Sequence, residues 1–424
     1  MPCGEVPRVT GARAPGQGGR VRRLLVPAAA LVASAVLVAG CGSDSGSAEP
    51  ALPPAPVGAE RGQLVSQQSF DDIAPDVTQL GGTAVRVTYR STSGVDGSGT
   101  EVSGAVFAPA TPPPPGGYPV VAVGHGTTGV TDDCAPSASP DLRGNAALVA
   151  SMLARGWVVA VSDYQGLGTP GPHPYLEPRS AAYDLIDSVR AARNVFPAAS
   201  TTWAAYGESQ GGQASWAAAE ASSDYGDGLD FVGSAALSPA ADVSGIFDVD
   251  AGGSAANVPL LSWPQKALLP YVLEGLRTVH PELDTSDYVR GPLADEPDVA
   301  LSCITDRGGD KLRIATTMQP DDVGPSTPEA AERMHGWLDD LALPQGTAGG
   351  PLYVVAGGRD QLVRAEWTSS AVARACAQGD TIEFTVRPEQ GHSEPAAVPG
   401  ALDWIAARFV GGPAPDTCAA AGGR

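Results

Sequence analysis

The stretch "YGESQGG", residues 206–212, decides how the rest of the chain is read. Gly207-Glu208-Ser209-Gln210-Gly211 is the one G-x-S-x-G pattern in the 424 residues. Before it runs "TTWAA" (201–205), β-branched and aromatic; after it runs "GQASWAAAEAS" (212–222), small and helix-prone. A strand, a serine at a sharp turn and a departing helix make a nucleophile elbow, with Gly207 and Gly211 kept small so that strand and helix can approach. The bland alternative is a glycine turn between two ordinary elements. A serine hydroxyl is a weak nucleophile, so the motif matters only if the chain also supplies a base, an acid to orient it, and donors for an oxyanion.

Working outward, strand-like and helix-like segments alternate. "TAVRVTYRS" (83–91) and "EVSGAVFAPA" (101–110) read as an antiparallel pair. "YPVVAVGHG" (118–126), "GWVVAVSDYQG" (156–166) and "FVGSAALS" (231–238) read as buried strands, with helices over 143–155 and around Leu185, Ile186, Val189, Ala192 and Val195. From Ala241 to Gln345 the rhythm breaks into Pro-rich stretches with helical pieces at 265–278 and 328–341. Alternation resumes with "PLYVVAGG" (351–358), a helix over 364–377, "DTIEFTVR" (380–387) and a helix over 399–409. This pattern predicts an α/β fold, a mostly parallel sheet with helices on both faces. The interruption is an inserted, mainly helical cap.

The partners of an elbow serine follow it in the order acid, histidine. Of five histidines, only His392 lies beyond the resumed strands, in the loop "RPEQGHSEP" (387–395). It is the expected base. Asp360, in "VVAGGRDQLV" (354–363), ends the preceding strand and is the expected acid. Its rivals are Asp339 and Asp340, in a helix of the cap, and Glu389 and Glu394, close to His392 along the chain. Gln210 follows the nucleophile and is one expected oxyanion donor; Thr127, in the loop "GHGTTG" (124–129), is the other, with Thr128 next. His125 precedes the serine and is expected to shape that loop. Asp163 is out of order too, and is expected to fix a loop by hydrogen bonding.

Arg20, Arg22 and Arg23 precede 17 uncharged residues ending at Gly40, and "VAG" then leads to Cys41. Basic, apolar and small regions in that order form a secretory signal. The last four residues resemble a bacterial lipobox, which implies diacylglycerol on Cys41 and a membrane-anchored protein. Plain secretion and an uncleaved anchor are the alternatives. Residues 1–40 are thus a signal peptide of lipoprotein type, 41–65 the lipid site and a Gly/Ser/Pro-rich tether. Without residues 1–40, 21 basic and 46 acidic residues remain, deepening the whole-chain net charge of −21. Nucleic acid is excluded as a partner, because its phosphates need neutralising cations. Cys134, Cys303, Cys376 and Cys418 remain after export, an even number in an oxidising compartment, and their spacing is not that of metal ligands.

With these residues in place the chain resembles the secretory lipase family, of yeast lipase A and secreted bacterial lipases. The resemblance rests on "GHGTTG…CAPS" (124–137), "SDYQGLG" (162–168), "GESQGG" (207–212), "GGRDQLV" (357–363) and "CAQGDTIEF…GH" (376–392). It implies an α/β-hydrolase core in two parts (66–240 and 346–418), a cap over 241–345 after the sixth strand, a tail at 419–424, and no cofactor. It implies Cys134–Cys303 and Cys376–Cys418 pairings, the first tethering the cap. It implies ester hydrolysis of acylglycerols or simpler carboxylic esters by Ser209, Asp360 and His392. Glu208 departs from the family, where tyrosine or histidine is commoner. Acyl transfer to an envelope acceptor, peptide hydrolysis, and a non-catalytic envelope scaffold are the competing readings. The apolar run "VPLLSWPQKALLPYVL" (258–273) lines an acyl pocket, faces lipid, or simply packs the cap.

Overall fold

Strand faces explain the architecture. In the runs Val120–Val123 and Val158–Val161 every residue is buried, and successive side chains alternate between two separate apolar cores. Val120, Ala122, Val158, Ala160, Trp203 and Ala205 face one core; Val121, Val123, Val159, Val161, Ala204 and Tyr206 face the other. A strand buried on both sides must lie inside a sheet with helices on each face.

The computed structural model describes residues 60–247, 261–393 and 395–418. The signal segment, Cys41, most of the tether, residues 258–260 of the apolar run, the rival acid Glu394 and the tail lie outside the described residues. The strands are β1 (Leu64–Ser69), β2 (Thr83–Thr92), β3 (Gly99–Ala108), β4 (Tyr118–Gly124), β5 (Val158–Ser162), β6 (Ala199–Glu208), β7 (Asp230–Leu237), β8 (Leu352–Gly357) and β9 (Ile382–Arg387). They form one sheet in the order β1-β2-β3-β5-β4-β6-β7-β8-β9. β1, β2, β3 and β5 pair antiparallel in succession, and β5 through β9 pair parallel.

The helices of the core are α1 (Pro75–Thr78), α2 (Ala146–Leu153), α3 (Pro178–Val195) and α4 (Gln210–Tyr225). Between β7 and β8 come α5 (Trp263–Val279), α6 (Pro292–Asp295), α7 (Pro297–Ala300), α8 (Gly308–Thr317) and α9 (Pro328–Asp340); α10 (Ala365–Gln378) and α11 (Val398–Phe409) complete the core. α3, α4 and α10 cover one face, α2 and α11 the other. The helices between β7 and β8 gather around a third apolar cluster that includes Leu269, Tyr271, Leu276, Met334 and Leu338. α5 starts at a capping box in which the Ser262 hydroxyl accepts from Gln265 N–H and the Gln265 side chain accepts from Ser262 N–H.

Two differences from the sequence-based expectation stand out. β1 begins at Leu64, inside the segment 41–65 expected to be tether, and Gly62 and Gln63 already exchange backbone bonds with Arg90. Its five residues after Leu64 are exposed, so an edge strand with no apolar face left no period to read. The cap insertion therefore follows the seventh strand of the sheet. Sulfurs of Cys134 and Cys303 are bonded, joining the cap to the loop after β4, and Cys376 is bonded to Cys418. Among the described residues no helix is long and apolar enough to cross a membrane.

Candidate active site

β4, β6, β8 and β9 are parallel, so their carboxyl ends lie at one edge of the sheet, where open α/β sheets hold their sites. The loops leaving these ends carry Thr127, Ser209, Asp360 and His392. Ser209 caps α4 with φ +60° and ψ −119°, a backbone conformation that ordinary residues avoid. What enforces it is close packing. A Cβ on Gly207 would sit 1.9 Å from the Gly211 carbonyl oxygen, and one on Gly211 would sit 1.9 Å from that of Gly124. Ser209 N–H donates to the Leu237 carbonyl at 2.9 Å, and its carbonyl accepts from Gln213 and Ala240.

His392 Nε2 lies 2.8 Å from Ser209 Oγ, and its Nδ1 lies 2.7 Å from Asp360 Oδ2. The other Asp360 oxygen accepts from Leu362 N–H at 2.8 Å and Val363 N–H at 2.9 Å. The carboxylate is therefore fixed on both oxygens, and its side chain is fully buried. The rival acids stand elsewhere: Asp339 and Asp340 end α9, and Glu389 pairs with Arg359.

Gln210 is the first residue of α4, so its backbone N–H has no acceptor within the helix. Its side-chain Nε2 lies 3.0 Å from His173 Nε2. His173 Nδ1–H donates to the Gln165 carbonyl, and burial pushes that imidazole down to about 4, so the ring is neutral and can accept from Gln210. Thr127 Oγ1 lies 2.6 Å from the Tyr175 hydroxyl. Burial pushes the Tyr175 phenol up to about 12, which keeps its proton. Thus the segment 173–175, which carries no sequence motif, touches both expected oxyanion residues. Its role depends on contacts through space.

His125 and Asp163 sit beside this machinery. His125 is buried between the Gly126 and Asp163 carbonyls, at 2.7 and 3.2 Å, and burial pushes its imidazole below the ordinary range. Asp163 accepts from Ser103 Oγ at 2.6 Å, from Ser137 N–H at 2.8 Å and from the Ser137 hydroxyl. It ties the loops after β4 and β5 together.

Comparison with known proteins agrees with this fold. A family model described as "Secretory lipase" matches residues 141–285, which include the Ser209 elbow. A protein named "Probable inactive lipase MT1628", from Mycobacterium tuberculosis, is 26% identical over 349 residues, 79% of this chain and 75% of that protein. Candida antarctica lipase A in its closed state superposes with a TM-score of 0.64 at 18% identity, covering 83% of each chain. The rice cell wall degrading esterase LipA from Xanthomonas oryzae superposes at 0.62 and 20% identity, over 82% of this chain and 95% of that one. This chain has the α/β-hydrolase fold. Within this fold, Ser209 and His392 open into a pocket of about 280 Å³ that Thr127, Arg143 and Tyr206 also line. Leu268, Ile304 and Leu362 border both this pocket and a second, apolar cavity of about 450 Å³ in the cap.

Proposed function

We propose that this chain is a serine hydrolase of carboxylic esters, exported from the cell, with Ser209 as nucleophile, His392 as base and Asp360 as its orienting acid. The observation that carries this reading is the unbroken pair of hydrogen bonds from Asp360 through His392 to Ser209. Ser209 Oγ attacks the ester carbonyl carbon while its proton moves to His392 Nε2. Asp360, held on both oxygens, stabilises the imidazolium through Nδ1–H. The oxyanion receives the N–H groups of Gln210 and Thr127. Thr127 Oγ1 and the Tyr175 hydroxyl share one hydrogen bond at 2.6 Å; when Tyr175 is its donor, the threonine proton is free as a further donor to the oxyanion. The C–O bond then breaks, and the leaving alcohol takes the proton from His392. Water, deprotonated by His392, attacks the acyl-enzyme, releases the carboxylic acid and returns the proton to Ser209.

The apolar cavity bordering the pocket supports an ester with an alkyl acyl chain, received between α5 and α8. The two disulfides and the resemblance to secretory lipases support an extracellular setting, with Cys41 as the proposed lipid site. The name of the mycobacterial relative raises a second reading, a non-catalytic scaffold on the same fold. Labelling by a fluorophosphonate, with p-nitrophenyl esters from acetyl to palmitoyl, separates the two. Wild type should be labelled and turn over the esters, and Ser209→Ala should do neither. A folded, oxidised wild type that is neither labelled nor active would make it a scaffold.

A further inference from the structure

Gln210 and Gln213 stand on one face at the start of α4, and both are buried. Among the described residues neither side-chain oxygen has a partner, whereas each amide nitrogen has one. Gln210 Nε2 lies 3.0 Å from His173 Nε2, and Gln213 Nε2 donates to the Leu176 carbonyl at 3.0 Å. A buried amide with one end unpaired costs more than an apolar side chain of the same size. What the amide adds is direction. Two such bonds tie the first turn of α4 to the segment 173–176.

The same segment reaches the other expected oxyanion residue. Tyr175, between those two points of attachment, shares a hydrogen bond with Thr127 Oγ1. One short span of chain thus touches both the helix that carries the Gln210 N–H and the loop that carries the Thr127 N–H. An oxyanion gains full stabilisation only if both N–H groups stand about 3 Å from one point, so the separation of helix and loop matters to the rate.

The span is itself tightly held. Gly166 has φ +78°, and a Cβ there would sit 2.5 Å from His173 N, so the chain closes on itself just before the span begins. The His173 ring stacks on Tyr164, with centroids 6.0 Å apart, and its Nδ1–H is committed to the Gln165 carbonyl at 2.7 Å. On the cap side, Gly275 of α5 lies against Tyr175: a Cβ there would stand 2.3 Å from the Tyr175 carbonyl oxygen.

We propose that segment 173–176 is a strap that fixes the spacing of the two oxyanion N–H groups, with His173 as the positioning residue for Gln210. The proposal deepens the ester-hydrolase reading and rests on it. His173 touches no reacting atom. It accepts from the Gln210 amide and so holds the first turn of α4 at the distance from Thr127 that the oxyanion requires.

The test compares the full chain with His173→Phe, which keeps a ring against Tyr164 but cannot accept from Gln210, and with His173→Gln, whose amide oxygen can accept. Turnover is measured with p-nitrophenyl butyrate, and inhibition with 1,1,1-trifluorooctan-2-one, whose adduct with Ser209 carries the oxyanion. In a variant shown to be folded by its urea transition, His173→Phe should lower kcat by about 10–10²-fold with KM within about twofold. It should weaken the ketone by the same factor, as for any loss confined to the transition state. The acid limb of kcat/KM against pH, set by His392, should stay in place, and His173→Gln should recover most of kcat. Gly275→Ala, which presses on the strap from the cap and lines neither pocket, should reproduce the loss and carries the test if His173→Phe does not fold. Wild-type kcat in these folded variants, a loss that falls on KM, a displaced pH limb, or His173→Gln no faster than His173→Phe would each overturn the strap and leave the hydrolase reading standing. A wild type inert toward both ester and ketone would instead remove that reading, and the strap with it.

Discussion

Gly207 and Gly211 show why the nucleophile motif could be read from sequence. The 1.9 Å approaches at both positions are to backbone oxygens, which no side-chain rotation can relieve. Gly207→Ala or Gly211→Ala should therefore cost at least about 3 kcal/mol, the upper end of overpacking, read as a lower urea midpoint. Ser209→Ala keeps the backbone and should leave that midpoint within about 0.5 kcal/mol while abolishing activity. The oxyanion side was less legible. Thr127 stood out only through its glycine loop, and Tyr175, which touches it from 48 residues away, carried no signal at all. If the Thr127 hydroxyl is a donor, Thr127→Val should lower kcat by about 10²–10³ with little change in KM, and Thr127→Ser should retain most of it. A valine variant with wild-type kcat would remove that hydroxyl from the mechanism.

Elements whose character is set by local pattern were read within a few residues. β4 and β5 are valine-rich, mostly buried runs, and α5, α9, α10 and α11 each have an apolar stripe facing a core. β1 was missed because it is itself an exposed sheet edge, and α6 and α7 because four-residue helices have no period. The way the cap meets the core also lay beyond local pattern. Next to the Cys134–Cys303 bond, Ile304 N–H donates to the Thr128 carbonyl at 2.7 Å, so the same short stretch of cap grips the oxyanion loop. The bond closes a sequence separation of 169 residues. Removing it in a Cys134→Ser, Cys303→Ser double variant should cost about 2–5 kcal/mol in a urea titration. It should also lower kcat more than an equally destabilising change remote from the loop. Stability lost with kcat intact would separate the tether from catalysis.

Across the whole molecule, acidity is distributed unevenly, with a consequence for pH. Most carboxylates are solvated, but Asp184 and Asp187 on α3 are fully buried, and Glu220 on α4 is largely so. Burial pushes Asp184 up to about 8 and Glu220 up to about 8; Asp187 rises to about 6, although Arg190 at 2.8 Å pulls it back. One oxygen of Asp184 and one of Glu220 are buried without a partner, which makes the charged forms costly. A carboxyl whose folded value lies above its unfolded one stabilises the fold while protonated. That contribution is complete below the ordinary carboxylate range, near 4, and is lost as pH climbs through 6 and 8. Repulsion within a chain of net charge −21 works in the same direction. Asp96 and Asp284 are held below the ordinary range by hydrogen bonds from Ser98 and Ser286, so their opposite contribution fades only near and below pH 4. Stability should thus peak near pH 5 and decline toward pH 9, seen as a falling urea midpoint across pH 5, 7 and 9. Asp184→Asn, which cannot ionise, should flatten the decline most between pH 7 and 9. A midpoint that holds level or rises over that range would mean these carboxylates find water or partners when they ionise.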